Sequence, residues 1–381
     1  MDKRAKQLAD LILDYSIKLK KGDRLLLQYD PVFMNYGEIL ARGAKERGAN
    51  VRHDCLTWNP DFLRNLLTNE NYKCWDDDRD RRIDLAGWCT TRILVDAQED
   101  LDYAKEIPLS RVSEFTTRVI APYKKVLYRE KNGKEVVRWN ICAYPSKAQA
   151  KLAGMSYKKY SDLIFSSCLR DWTKLEKDMQ EVKVCFDHSK LVEINDAKGN
   201  HLQFSLASRA GKVSSATHNM PSGEVFYGPE EDSIEGKIYF AIPSLRDGQL
   251  IQGVTLDFRK GEVVSYSAEK NQAFLDSTLN NIRGSKRVGE FGIGCNYGIF
   301  QASGNLILDE KIGGTIHLAL GKSISTDLND GGGKSDGDTH WDLVCDLRPT
   351  ASSKGGEIYV DGKLVQSRGM WIKDIDKYYK K

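Results

Sequence analysis

Lys20-Lys21-Gly22-Asp23-Arg24-Leu25-Leu26-Leu27-Gln28-Tyr29 is the stretch whose reading decides the fold. Upstream of it Leu8, Leu11, Ile12, Tyr15 and Leu19 recur at helical spacing, and the glycine-centred break then gives way to a continuous apolar run. The passage reads as helix, turn, buried strand. The same rhythm continues downstream. Residues 34–47 are amphipathic, Gly48 is a natural helix stop, and Val51 to Leu56 has the composition of a strand. Ile83 to Ala97 passes from helix to strand, and a helical stretch containing Phe115 to Ile120 precedes a charged hairpin at Lys131-Asn132-Gly133-Lys134. Arg138 to Ala143 is a further strand, and Tyr157 to Met179 reads as helical and partly amphipathic. Alternating helices and strands predict an α/β N-terminal domain over residues 1–180 with a largely parallel sheet.

The texture changes after residue 180. Glu181 to Asp187, Lys190 to Ile194, His201 to Leu206, Lys237 to Ile242, Gly253 to Arg259 and Glu262 to Tyr266 are short strand-like runs separated by turn residues. Ala268 to Ile282 reads as a helix, and another is expected within Asp309 to Ala319. Asp361-Gly362 joins Glu357–Val360 to Leu364–Gln366 as a hairpin. Residues 181–381 are therefore expected to form a strand-rich α+β C-terminal domain.

Composition narrows the function. The 381 residues are 40% apolar and 29% charged, which fits a globular chain rather than a disordered one, and the length favours two cores. Net charge is only +3, with both signs interleaved, so there is no one-signed stripe for nucleic acid. The first residues carry charges every few positions and no run of about eighteen apolar residues follows, which argues against a signal peptide or membrane anchor. The 8 cysteines lack CxxC spacing, as expected of a reduced cytoplasmic protein.

Several familiar motifs fail on inspection. Gly331-Gly332-Gly333-Lys334-Ser335 invites a phosphate-loop reading, but Leu328 stands where the first glycine is required, so a mobile loop is the better account. Gly292, Gly294 and Gly298 are spaced by one and three residues rather than the one and two of a dinucleotide fingerprint. No Gly-x-Ser-x-Gly elbow is present.

A different pattern runs through the C-terminal half. His340-Trp341-Asp342 in an extended segment sends imidazole and carboxylate from the same face. His317 lies in Gly313-Gly314-Thr315-Ile316-His317-Leu318-Ala319-Leu320-Gly321, where its ring needs a partner. Glu224 and Glu290 sit among small and apolar neighbours in Ser222-Gly223-Glu224-Val225-Phe226 and Gly289-Glu290-Phe291-Gly292. Taken singly, each has an ordinary explanation as a core histidine or a turn glutamate. Taken together, ionisable groups in apolar, glycine-punctuated segments call for mutual pairing or for metal.

These same segments, with Asp309-Glu310-Lys311, stand in an order that resembles the thermophilic aminopeptidase family of dinuclear metallopeptidases. A weaker resemblance runs through Lys20 to Asp23 and Arg118 to Pro122, so it spans nearly the whole chain. It implies two domains and a homodimer with an enclosed cavity. It also implies two divalent ions (cobalt, zinc, manganese or magnesium) held by Glu224, Glu290, Glu310, His317, His340 and Asp342, with Glu290 as bridge. Glu290 or Glu310 would handle the proton of an activated water, and the substrate would be a peptide with a free N-terminus.

Two departures bear on this. Ile324 occupies the position where the family usually has a tyrosine, seven residues after His317, and the Glu310 to His317 segment is two residues longer. A scaffold relative cleaves dihydroxypyridine rings with one iron, for which His317, His340 and Asp342 would suffice. The alternatives are thus a mononuclear iron dioxygenase or a catalytically degenerate metal-binding relative.

Overall fold

The computed structural model describes residues 2–103, 105–246, 249–351 and 353–372. The chain forms two compact units, one taking the chain up to Leu169 together with Ala216–Pro221, the other Arg170–Ser215 and the chain from Ser222 onward. Position 180, where the sequence changes texture, falls inside the helix Trp172–Phe186, which belongs whole to the second unit.

The first unit is built on five parallel strands: β1 (Arg24–Gln28), β2 (Asn50–Asp54), β3 (Thr91–Asp96), β4 (Arg138–Ala143) and β5 (Asn219–Met220). Their order is β2-β1-β3-β4-β5, with the intervening chain largely helical. Leu25, Leu26 and Leu27 are buried on both faces of β1, as a central parallel strand requires. In open sheets of this kind ligands bind outside the carboxyl ends, between the strands where the order reverses, here β1 and β3. That position is closed by side chains. Gln28 donates to Asp54 at 2.7 Å, while its carbonyl oxygen accepts from Arg92 at 2.6 Å and from Tyr123 at 3.1 Å. Arg81, on the helix Tyr72–Trp88, ties Asp54 to Asp78 at 2.8 Å each, and Asp78 also accepts from Arg82 at 2.5 Å.

The second unit holds two antiparallel systems. One is a nine-stranded sheet that includes the hairpins Gln249–Arg259 with Glu262–Lys270 and Glu357–Val360 with Lys363–Ser367. The other has five strands: β6 (Glu224–Tyr227), β7 (Val288–Gly294), β8 (Thr315–Gly321) and β9 (His340–Asp346) lie side by side, with Lys212–Ser214 beyond β6. Alternation along β6 to β9 sends Val225, Tyr227, Phe291, Ile293, Ile316, Leu318, Leu320, Trp341 and Leu343 into one apolar core, where Phe204 meets Phe291 with ring centroids 4.8 Å apart. The residues between them, Glu224, Glu290, His317, His340 and Asp342, leave by the opposite face.

Two expectations are corrected and one, the helical reading of Tyr157 to Met179, is refined. Glu181 to Asp187 belongs to the helix Trp172–Phe186 and is not a strand: Met179, Val182 and Phe186 recur at helical spacing and pack on the core, which outweighs the local alternation. Tyr157 to Met179 is two helices, Tyr157–Cys168 and Trp172–Phe186, because Asp171 accepts from the Lys174 amide at 3.0 Å and caps a new start. Asp309 to Ala319 holds only the end of a short helix, Leu306–Asp309, before β8 begins, so His317 is a strand residue.

Asp78 and Arg82 are each 2% exposed, so removing one leaves the other as an uncompensated buried charge. Asp78→Ala should cost about 3–5 kcal/mol in urea unfolding. A loss within the range of ordinary surface substitutions would show that the network does not hold the first unit.

Candidate metal centre

Cross-strand register explains how so many ionisable groups share one face, which is buried except at its edge, where His340 is exposed. Glu224 stands opposite Gly294, His317 opposite Gly292, Glu290 and Asp342 each opposite Ala319, and His340 opposite Gly321. Every long polar side chain thus has a small neighbour across the ladder. The fit beside His317 is tight, since a Cβ built on Gly292 would lie 2.0 Å from its ring. Gly223, just before β6, has φ +113, a left-handed value that favours glycine, and packs on Asn296.

Both imidazoles are aimed by backbone carbonyls. His317 Nδ1 lies 3.0 Å from the Glu310 carbonyl oxygen and His340 Nδ1 2.6 Å from that of Lys322. In the neutral ring Nδ1 is then the donor, which leaves each Nε2 lone pair free to ligate. His317 Nε2 is 3.1 Å from Glu290 Oε1 and 3.9 Å from both Glu224 Oε2 and Asp342 Oδ1. His340 Nε2 is 3.5 Å from Asp342 Oδ1 and 3.8 Å from Glu290 Oε2. Two triads result, Glu224 with Glu290 and His317, and Glu290 with His340 and Asp342, each with its donor atoms within 4.8 Å of one another. Glu290 belongs to both. Its Oε2 is buried without a hydrogen-bond partner, an orphan that a cation would satisfy, and the nitrogen and oxygen donors suit zinc, cobalt or manganese.

Comparison with known proteins places the chain in a family. The family model described as thermophilic metalloprotease (M29) matches residues 1–371. The chain belongs to the M29 metalloproteases. It is 21% identical over 360 residues to aminopeptidase AmpS of Bacillus subtilis, covering 85% of each chain. In fold it is similar to AmpT from Thermus thermophilus, with a TM-score of 0.78 at 18% identity over 97% of this chain and 99% of that one. A 2,5-dihydroxypyridine dioxygenase from Pseudomonas putida shares the fold more loosely, at a TM-score of 0.54 and 12% identity over 97% and 96% of the two chains. Family and relatives make the protein a hydrolase of the metallo-aminopeptidase kind and do not favour the iron dioxygenase alternative. Among the described residues, no helix of this M29 enzyme is long and apolar enough to cross a membrane.

The sixth sequence candidate, Glu310, is close by but differently engaged. Its carbonyl orients His317, and its carboxylate, in neither triad, is paired with the ammonium of Lys311. Lys311 is 0% exposed and also lies 3.6 Å from Glu224 Oε1. Counting only acids and imidazoles misses this residue. Its signal was the one that marked the glutamates, a charge between Leu308 and Gly313-Gly314 in an apolar, glycine-flanked segment. Asp309 has a structural task, accepting from the Ser303 amide at 2.7 Å and the Gly304 amide at 2.8 Å. In the glycine-rich loop the amides of Gly331, Gly332, Gly333 and Lys334 donate to Ala210, Asp327, Ser325 and Glu231. Ile324 is 60% exposed.

Burial and mutual charge set the proton balance. Burial pushes Glu290 upward against the pull of His317, and it pushes Glu310 up to about 7 against Lys311. Burial works against the charged imidazoles, but Glu290 and Asp342 hold His317 up to about 9, and Asp342 and Glu290 hold His340 up to about 10. Asp342, despite burial, is kept down to about 2 by His340 and His317. Burial opposes the Lys311 charge too, yet Glu224 and Glu310 raise it above the ordinary lysine range.

Without metal, the two imidazolium rings thus serve as counter-ions to the carboxylates. Their folded values lie above the free histidine value of about 6.5, so their contribution to stability is full below that pH and is lost as pH rises through about 9 and 10. Metal-stripped protein should melt at progressively lower temperature from pH 6.5 to pH 10 by calorimetry. A flat or rising melting temperature would contradict the imidazolium pairing. Gly292→Ala should displace the His317 ring and weaken metal affinity by at least about tenfold in a chelator competition. Unchanged affinity would mean that His317 is not a donor.

Proposed function

We propose that this M29 enzyme removes N-terminal residues from peptides at a two-ion centre bridged by Glu290. The observation that carries the reading is that two donor triads meet at one carboxylate whose second oxygen is buried without a hydrogen-bond partner. Glu224 and His317 complete one ion site, His340 and Asp342 the other. Two divalent ions, once bound, supply hydroxide near neutral pH, polarise the scissile carbonyl and hold the free amine of the first residue.

The protein's own part is positional. The carbonyls of Glu310 and Lys322 fix the two rings, so both Nε2 atoms are presented without rotamer search. Glu290 and Glu310 are the candidate proton carriers: Glu290 lies among the other donors, and Glu310 is a buried carboxylate beside them, paired with Lys311. Exposed Ile324 supplies no phenol, so catalysis in this reading rests on the ion centre and these two carboxylates. The unpaired state of all eight cysteines supports a reducing, cytoplasmic setting, the family resemblance supports a homodimer acting on peptides, and the interleaved charges and lack of a long apolar run support the absence of a nucleic-acid or membrane partner.

Metal analysis of protein purified without chelators should give about two ions per chain. Glu224→Ala and His340→Ala should each abolish release of amino acids from a short unblocked peptide, and wild type should leave the N-acetylated peptide intact. Full activity in both variants would sink the site assignment, and cleavage of the blocked peptide would sink the aminopeptidase reading.

A further inference from the structure

The metal centre contains a cation of its own. Lys311 is entirely buried, its ammonium pairs with Glu310, and it lies 3.6 Å from Glu224 Oε1. The other Glu224 oxygen, Oε2, faces His317 Nε2 at 3.9 Å. One carboxylate of the first triad is therefore shared between an ammonium and the ion position. The second triad bears less of it: among the described residues, the ion pairs of Lys311 are with Glu224 and Glu310 alone, and its charge reaches Asp342 only as a weaker influence behind those of His340 and His317.

An ammonium this deeply buried cannot withdraw without losing the acceptors that offset its desolvation. Repulsion between it and a bound divalent ion falls with distance, so it bears most on the ion nearest Glu224. Pairing also occupies Glu310, the one further carboxylate beside the centre, which could otherwise strengthen the Glu224 site.

We propose that Lys311 is a built-in counter-cation that makes the two ion sites unequal. By sharing Glu224 and holding Glu310 out of both triads, it leaves the ion at Glu224, Glu290 and His317 loosely bound and exchangeable, while the ion at Glu290, His340 and Asp342 is retained. Lys311 is thus a positioning residue that acts through two carboxylates. The inference rests on the two-ion reading above.

The test is a titration of metal-stripped protein with Zn²⁺ against a chromophoric chelator, resolving two dissociation constants. Wild type should show two classes at least about tenfold apart, with Glu224→Ala removing the weaker class and His340→Ala the tighter. Lys311→Met should tighten the weaker class by about tenfold or more and leave the tighter within about twofold. Lys311→Arg, which keeps the charge, should leave the two classes apart. Lys311→Gln, neutral but still able to donate to Glu310, should repeat the Lys311→Met result and serves if the methionine variant does not fold. Equal affinities in wild type, a weaker class unmoved or loosened in the neutral variants, or a parallel change in both classes would overturn the proposal. Failure of the two-ion reading looks different, with wild type binding fewer than two ions or both classes surviving Glu224→Ala and His340→Ala.

Discussion

A sheet that packs aromatic and aliphatic groups on one face and carries largely buried carboxylates and imidazoles on the other, with His340 alone of these at the exposed edge, has to balance those charges, and the second unit depends on meeting that demand. Desolvation makes each of these charges costly alone. The solution is mutual: Asp342 is stabilised by two rings, the rings by Glu290 and Asp342, and Glu224 and Glu310 by Lys311. Space for the solution comes from the ladder, where Gly292, Gly294, Ala319 and Gly321 face the long side chains across the strands. Polar groups and small residues alternate on the site face as bulky apolar residues do on the core face.

Two backbone carbonyls then convert this balance into a metal-binding geometry. By holding Nδ1 of His317 and His340 they decide which nitrogen faces the carboxylates, so ring orientation comes from main chain rather than from a flexible partner. The carbonyl that orients His317 belongs to Glu310, whose side chain is paired with the adjacent residue, Lys311. One short segment therefore aims a ring and also places a fixed positive charge beside the centre.

The first unit has the strand order of many ligand-binding α/β domains, yet its switch point is filled by Gln28, Asp54, Arg92 and Tyr123. The same network anchors the helix Tyr72–Trp88 through Arg81 and Asp78. Side chains that in other folds would face a ligand here face one another.

Much of the fold was legible because period and punctuation are local. Three leucines after Gly22 could only be a buried strand, and the alternation in His340-Trp341-Asp342 put two donors on one face whatever the register. Local pattern misled where tertiary contacts decided between periods: Glu181 to Asp187 alternates like a strand but joins a helix because Met179, Val182 and Phe186 reach one core. The sequence by itself determined the donor types and the small residues needed to bury them. Only the tertiary structure decided how they combine, because register across four strands makes Glu290 common to both triads and brings Lys311 between Glu310 and Glu224. A cross-strand neighbour is fixed by pairing between distant segments, and spacing along the chain does not encode it.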